Sequence, residues 1–134
     1  MTHEEKQLLL QDLSARLPYG VKGKTLGGQT CTLCYIGKDG SITADAYYCW
    51  IGSKQFIPYL RPMSSMTEDE RKEFRATQYE EVIEQYPCSA DPNEIKILSY
   101  TTKTFDWLNE HHFDFRGLIK KGLAIEAPNN MYKI

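Results

Sequence analysis

Thr30-Cys31-Thr32-Leu33-Cys34-Tyr35-Ile36-Gly37-Lys38-Asp39-Gly40-Ser41-Ile42-Thr43-Ala44-Asp45-Ala46-Tyr47-Tyr48 is the stretch on which the fold turns. Two runs rich in Thr, Tyr, Ile and Cys flank Asp39-Gly40, a pair that tolerates the positive φ angles of a tight hairpin, so the arms are expected at Thr30 to Ile36 and Ser41 to Tyr48. Side chains alternate faces along a strand. Cys31, Leu33 and Tyr35 therefore share one face, and Thr32, Cys34 and Ile36 the other.

Working outward, glycines at 23, 27, 28, 37, 40 and 52 punctuate the whole segment from Val21 to Leu60, which reads as several short antiparallel strands. Tyr47-Tyr48-Cys49-Trp50-Ile51 is too continuously apolar for a strand with one wet face. It is expected to be covered on both sides, the other option being a partner surface. Phe56 to Leu60 is expected as an edge strand or extended connection, because Pro58 cannot donate a ladder hydrogen bond.

Helical signals lie on either side. Thr2 and Glu5 have capping-box spacing ahead of Leu9, Leu13 and Leu17, with Pro18 and Gly20 as terminators, which predicts a helix that docks on the sheet. Thr67 and Glu70 repeat that spacing at the start of an acidic helix. From Thr67 to Tyr86 there are seven acids against three bases, a poor face for nucleic acid. Tyr79, Val82, Ile83 and Tyr86 keep helical spacing to Pro87, although Ala76-Thr77-Gln78 is weak enough to split the segment into two helices. Ser89 to Asn93 reads as a surface turn, and Glu94 to Leu98 as a strand joining the earlier sheet. Thr101 or Thr102 caps a helix carrying Phe105, Trp107 and Leu108 to about His111. A second, shorter one follows, with Asp114 as N-cap and Gly122 as C-cap. Leu123 to Ile125 and Met131 to Ile134 flank Pro128-Asn129-Asn130 as a small terminal hairpin.

The sum is one α+β domain over residues 1–134. An antiparallel sheet or partial barrel of four or five strands is packed by an N-terminal helix, an acidic middle helix and two short C-terminal helices. At 41% hydrophobic and 25% charged residues the chain has ordinary globular composition and lies far from the signature of disorder. No apolar run reaches membrane-span length, and Met1 to Lys6 lack the basic start and apolar stretch of a signal peptide, so the cytoplasm is the expected compartment and no membrane partner is expected. Cys31, Cys34, Cys49 and Cys88 then read as thiols.

Constellations with chemical potential are few. Cys31-Thr32-Leu33-Cys34 has the spacing of a zinc or redox pair, but on a strand its thiols face opposite sides and no second such pair exists. Glu110-His111-His112-Phe113-Asp114 gathers metal- and proton-binding groups, yet adjacent histidines on a helix project about 100° apart. Asp114 also has a capping job, and no nucleophile is placed beside the pair. No phosphate loop, nucleophile elbow or zincin motif is present, so no catalytic residue, metal ligand or cofactor is assigned. A metal-dependent enzyme using Glu110 to Asp114 stays as an alternative. So does nucleic-acid binding by a minimal winged-helix-like C-terminal unit presenting Arg116, Lys120 and Lys121, in a region holding five Lys/Arg against four Asp/Glu.

Arg16 to Val21, Pro58 to Thr67, Asp106 to Ile119 and Lys121 to Pro128 together resemble a family of small proteins from gut anaerobic bacteria and their phages or mobile elements. The resemblance spans most of the chain. It implies a phage-like or mobile-element origin and brings no established activity with it. Within those strings Tyr59, Arg61, Trp107, His111, His112, Asp114 and Arg116 combine aromatic surface with directional donors and acceptors, which makes them the candidate binding residues. The functional expectation is a noncatalytic interaction or accessory module with a protein partner or a second copy of itself.

Overall fold

A computed structural model describes residues 1–45, 47–51, 53, 55–85 and 93–132, with the backbone alone described at 81–85 and 93–97. It has α+β architecture and falls into two compact units, Met1–Ser65 with Asn109–Ile134, and Met66–Leu108.

The first unit is built on a six-stranded sheet of order β4-β3-β2-β1-β5-β8, with β1 at Lys22–Thr25, β2 at Thr30–Ile36, β3 at Ser41–Ala44, β4 at Tyr47–Trp50, β5 at Phe56–Leu60 and β8 at Ile125–Glu126. Five strands pair antiparallel, as expected. The sixth, β8, runs parallel to β5, so the sheet is mixed and one strand larger than the sequence suggested.

The Asp39-Gly40 hairpin forms, but its turn is one residue longer than a two-residue loop. The Gly37 N–H donates to the Ser41 carbonyl at 2.8 Å, leaving a three-residue loop in which Gly40 alone takes a left-handed φ of 87°. The second arm does not run through to Tyr48. Asp45 takes a φ of 52°, its N–H donates to the Thr32 carbonyl and its carboxylate accepts from the Thr32 N–H at 2.9 Å, so the chain folds back at once into β4. A bulge between Leu33 and Tyr35 also breaks the expected alternation of β2. Leu33 is buried, whereas Tyr35 stands outside.

Pro58 lies on an interior strand, contrary to its reading as an edge marker. It sits opposite Gly23 of β1, and on the other side β8 pairs only with Tyr59 and Leu60, so no neighbour there requires an N–H from Pro58. Gly23 is needed where it is, because a Cβ at that position would run into the Phe56 ring.

The N-terminal helix α1 (His3–Arg16) forms with its Thr2/Glu5 capping box and ends through a 3-10 turn at Leu17–Tyr19 and a left-handed Gly20. Leu9 and Leu13 enter a core with Val21, Leu33, Ile42, Ala44, Cys49, Phe56, Leu60, Leu118, Leu123 and Ala124. Burying a leucine such as Leu13 completely stabilises by roughly 1.5–3 kcal/mol.

The expected second C-terminal helix is absent. Gly117 takes a φ of 74°, which a continuing right-handed helix cannot include, and residues 115–122 form successive turns. Asp114 still serves the backbone: its two carboxylate oxygens accept from the N–H groups of Leu118 and Ile119 at 2.8 and 2.9 Å. The terminal hairpin does not form among the described residues either. Ile125–Glu126 joins the main sheet, while the Tyr132 hydroxyl receives the Lys22 N–H at 2.8 Å and reaches the Lys22 and Tyr59 carbonyls at 3.1 and 2.7 Å, tying the chain end to β1 and β5.

In the second unit α2 (Glu68–Thr77) carries the Thr67/Glu70 capping box. The helix stops there. Gln78 is extended, and Tyr79–Gln85, read as helical from its spacing, is strand β6, paired antiparallel with β7 (Asn93–Ser99) from Tyr79↔Ser99 to Gln85↔Asn93. β7 is thus a strand as expected, but in a separate two-stranded sheet and not in the main one. Thr101 caps α3 (Thr102–Glu110), and the Thr77 carbonyl accepts from the hydroxyls of both Thr101 and Thr104. Phe74 meets Tyr100 edge-on, with ring centres 5.5 Å apart, and tilts against Trp107. Tyr86, Pro87, Cys88 and most of the expected turn at 89–93 lie outside the described residues.

Candidate functional site

The seven residues singled out in sequence are divided between the two units. Trp107 belongs to the second unit, where its indole N–H faces the Glu73 carboxylate at 3.4 Å. Tyr59 lies on β5 and contributes its carbonyl to Tyr132. Arg61 continues from β5 into a parallel bridge with Phe113: its N–H donates to the His112 carbonyl and its carbonyl accepts from the Asp114 N–H, both at 2.8 Å, while its guanidinium lies 4.2 Å from the centre of the Phe113 ring. Arg61, His112 and Asp114 are therefore joined, but through backbone.

Arg116 completes a buried charge network that sequence spacing did not suggest. The Asp12 carboxylate, wholly buried, accepts from Arg16 Nε at 2.9 Å and from Arg116 Nη1 at 2.7 Å, and Arg16 Nη2 donates to the Phe113 carbonyl at 2.5 Å. Asp12 and Arg16 are one helical turn apart, a signal visible in sequence. Nothing there marked the pair as buried. With Arg116 held by Asp12 and over the Phe115 ring, and with no second C-terminal helix, the winged-helix scaffold proposed for nucleic acid is not formed.

His112 is the most constrained member. It is 4% exposed, holds a left-handed φ of 61°, and stacks on Tyr132 with ring centres 3.8 Å apart. Its Nδ1 has no hydrogen-bond partner among the described residues. Burial, reinforced by the Arg16, His111 and Arg61 charges and opposed by a hydrogen bond to the Tyr19 backbone, holds its pKa down at about 3. Burial likewise pushes the Tyr132 phenol up. Thus the imidazole is neutral at physiological pH, while the Asp114 carboxylate is committed to two backbone N–H groups; of the Glu110 to Asp114 cluster, Glu110 and His112 line one cavity. Among the described residues no three His, Cys, Asp or Glu side chains gather as a metal site. Cys31 is half-buried against the core and Cys34 sits exposed at the β2 bulge beside the Asp45 N–H. Cys49 is buried, which raises its thiol pKa.

Next to His112 a cavity of about 360 Å³ opens between Tyr19, Gly20, Lys22, Glu110, Met131 and Tyr132. Lys22 and Glu110 are of opposite charge, and neither has an ion-pair partner among the described residues.

A second surface lies at the far end of the sheet. The run Tyr47 to Ile51 was expected to be covered on both sides, yet only one face of β4 is: Cys49 is buried, while Tyr48 and Trp50 are 60% and 48% exposed and meet edge-on with ring centres 5.9 Å apart. Register extends this face inward. Thr43 of β3 sits opposite both Tyr48 and Tyr35, the latter 59% exposed, so rings on β4 and β2 flank a threonine on β3. β4 is an edge strand.

The chain matches no protein-family model, no curated protein and no solved structure. No helix among the described residues is long and apolar enough to cross a membrane.

Proposed function

We propose that the protein is a noncatalytic interaction module that binds an extended segment of a protein partner along β4. The observation that carries this reading is an edge strand, Tyr47–Trp50, with neither charge nor proline, flanked by the exposed rings of Tyr48, Trp50 and Tyr35. Sheet edges in proteins that do not pair are blunted by very short strands, lysines, prolines or bulges. β4 is short, at four residues, but carries no lysine, proline or bulge. The Trp50 carbonyl is taken by the Ser53 N–H and hydroxyl; the remaining outward N–H and C=O groups of β4 offer main-chain hydrogen bonds to an added strand, and the exposed rings offer the large, rigid side chains that dominate binding energies. A phage-like or mobile-element origin, implied by the family resemblance, belongs to the same proposal and is compatible with an accessory role.

Selection of extended peptides from a random library on the intact protein, followed by amide hydrogen exchange, tests this. Bound peptide is expected to slow exchange at the β4 amides that face away from β3, and Tyr48→Lys with Trp50→Lys should abolish capture. Peptides that protect other segments and bind the double variant equally well would overturn the assignment. Light scattering on the same samples separates a foreign strand from a second copy: a dimer broken by the double variant makes the partner another molecule of this chain.

A further inference from the structure

We propose that the cavity beside His112 binds a small zwitterion of the α-amino-acid class, its carboxylate held by Lys22 and its ammonium by Glu110. This inference rests on a different part of the first unit from the β4 edge and stands or falls without it.

Three observations converge. At about 360 Å³ the space suits a molecule of this class, being at the small end of the range for ligand pockets. The lining pairs one ammonium with one carboxylate, and with no ion-pair partner for either among the described residues they do not neutralise each other across the opening. A ligand carrying both charges a short distance apart satisfies both, whereas a simple anion or cation leaves one of them unanswered. Between them the walls are Tyr19, Met131 and Tyr132, which offer ring faces and a thioether to an apolar or aromatic side chain.

The site is also held in shape before any ligand arrives. The Tyr132 hydroxyl is bound to the backbones of β1 and β5, its ring is stacked on His112, and Gly20, left-handed at φ 70°, turns the chain from α1 into β1 along the rim. Such preorganisation lowers the ordering cost of binding. The neutral state of His112 leaves Lys22 as the one cation lining the cavity among the described residues.

Titration of the full chain with phenylalanine, tyrosine, leucine and methionine, followed by NMR of the His112 and Tyr132 rings, tests the assignment. Saturable shifts are expected with at least one of the four at affinities of about millimolar or better. The N-acetyl and carboxamide forms of that amino acid should each bind at least about tenfold more weakly, since each removes one charge. Lys22→Met and Glu110→Gln should reproduce those losses separately, while Lys24→Met, on the same strand but outside the cavity, should not. Both lining variants are judged only where their spectra retain the native dispersion. The absence of a saturable shift with all four amino acids would overturn the proposal, and so would equal binding of the blocked and free forms.

Discussion

At one edge of the six-stranded sheet β4 shows Tyr48 and Trp50 to solvent and leaves its outer hydrogen-bonding groups without a strand; at the other, β5 is followed by the short parallel strand β8, the Arg61–Phe113 bridge and the Tyr132 hydroxyl. Both regions are rich in aromatic residues, so composition does not separate them. Polar satisfaction does. Around β5 the aromatic rings lie among buried donors and acceptors that hold the backbone, with the Asp12–Arg16–Arg116 network beneath, whereas around β4 they stand beside backbone that no outer strand pairs among the described residues. One edge is finished by the chain itself, and the other ends at β4, with no further strand among the described residues.

The comparison breaks first if the closed edge is not what holds the unit together. Asp12→Ala removes the carboxylate shared by Arg16 and Arg116 and leaves the Arg16 guanidinium, wholly buried, without a counter-charge. A buried pair broken from one side typically costs about 3–5 kcal/mol, and chemical denaturation of this variant should show a loss of that size. Arg116→Met should cost less, because Arg16 and Asp12 keep their own contact at 2.9 Å. Equal losses in the two variants would mean that Asp12 matters through packing and not through charge.

His112 supplies the next largest effect, and it carries a sign. In the unfolded chain its imidazole takes up a proton near pH 6.5, while in the folded chain it stays neutral to about pH 3. Between these values the unfolded state binds the extra proton, so stability is full above pH 6.5 and falls as the solution is acidified, by roughly 1.4 kcal/mol per pH unit. Measured from pH 6.5 to 5, above the range where carboxylates titrate, the decline should largely vanish in His112→Asn, since asparagine accepts the left-handed backbone and carries no titrating group. A wild-type stability flat over that interval would show that the ring meets solvent and that the closed edge is looser than its packing implies.

How much of this was legible depends on whether the deciding signal is local. Both capping boxes, the Asp39-Gly40 hairpin and the docking face of α1 at Leu9 and Leu13 are local patterns, and each appears where the sequence placed it. Tyr79, Val82 and Ile83 satisfy helical spacing and strand propensity alike; the extended Gln78 and the seven-residue pairing with β7 decide for strand. The second C-terminal helix, expected between Asp114 as N-cap and Gly122 as C-cap, was lost to the left-handed Gly117 between them. For the candidate site, the sequence singled out His112, Arg61, Asp114 and Arg116 but not the contacts of His112 and Arg116, because those are made with Tyr132 and Asp12, far away in the chain. Lys22 and Glu110 come together only in three dimensions.

The smallest effect is the one that separates the two edges most sharply. Tyr48→Thr and Trp50→Thr exchange half-exposed rings for a side chain that suits a strand, at positions outside the apolar core. Surface substitutions of this kind stay within about 0.5 kcal/mol, although the edge-on contact between the two rings adds a little to the loss in each. If β4 is kept aromatic for a partner, both variants should unfold at nearly the wild-type denaturant midpoint while losing peptide capture. A loss of several kcal/mol would instead place Tyr48 and Trp50 in the fold's own packing, and the open edge would then be structural, as the edge at β8 is.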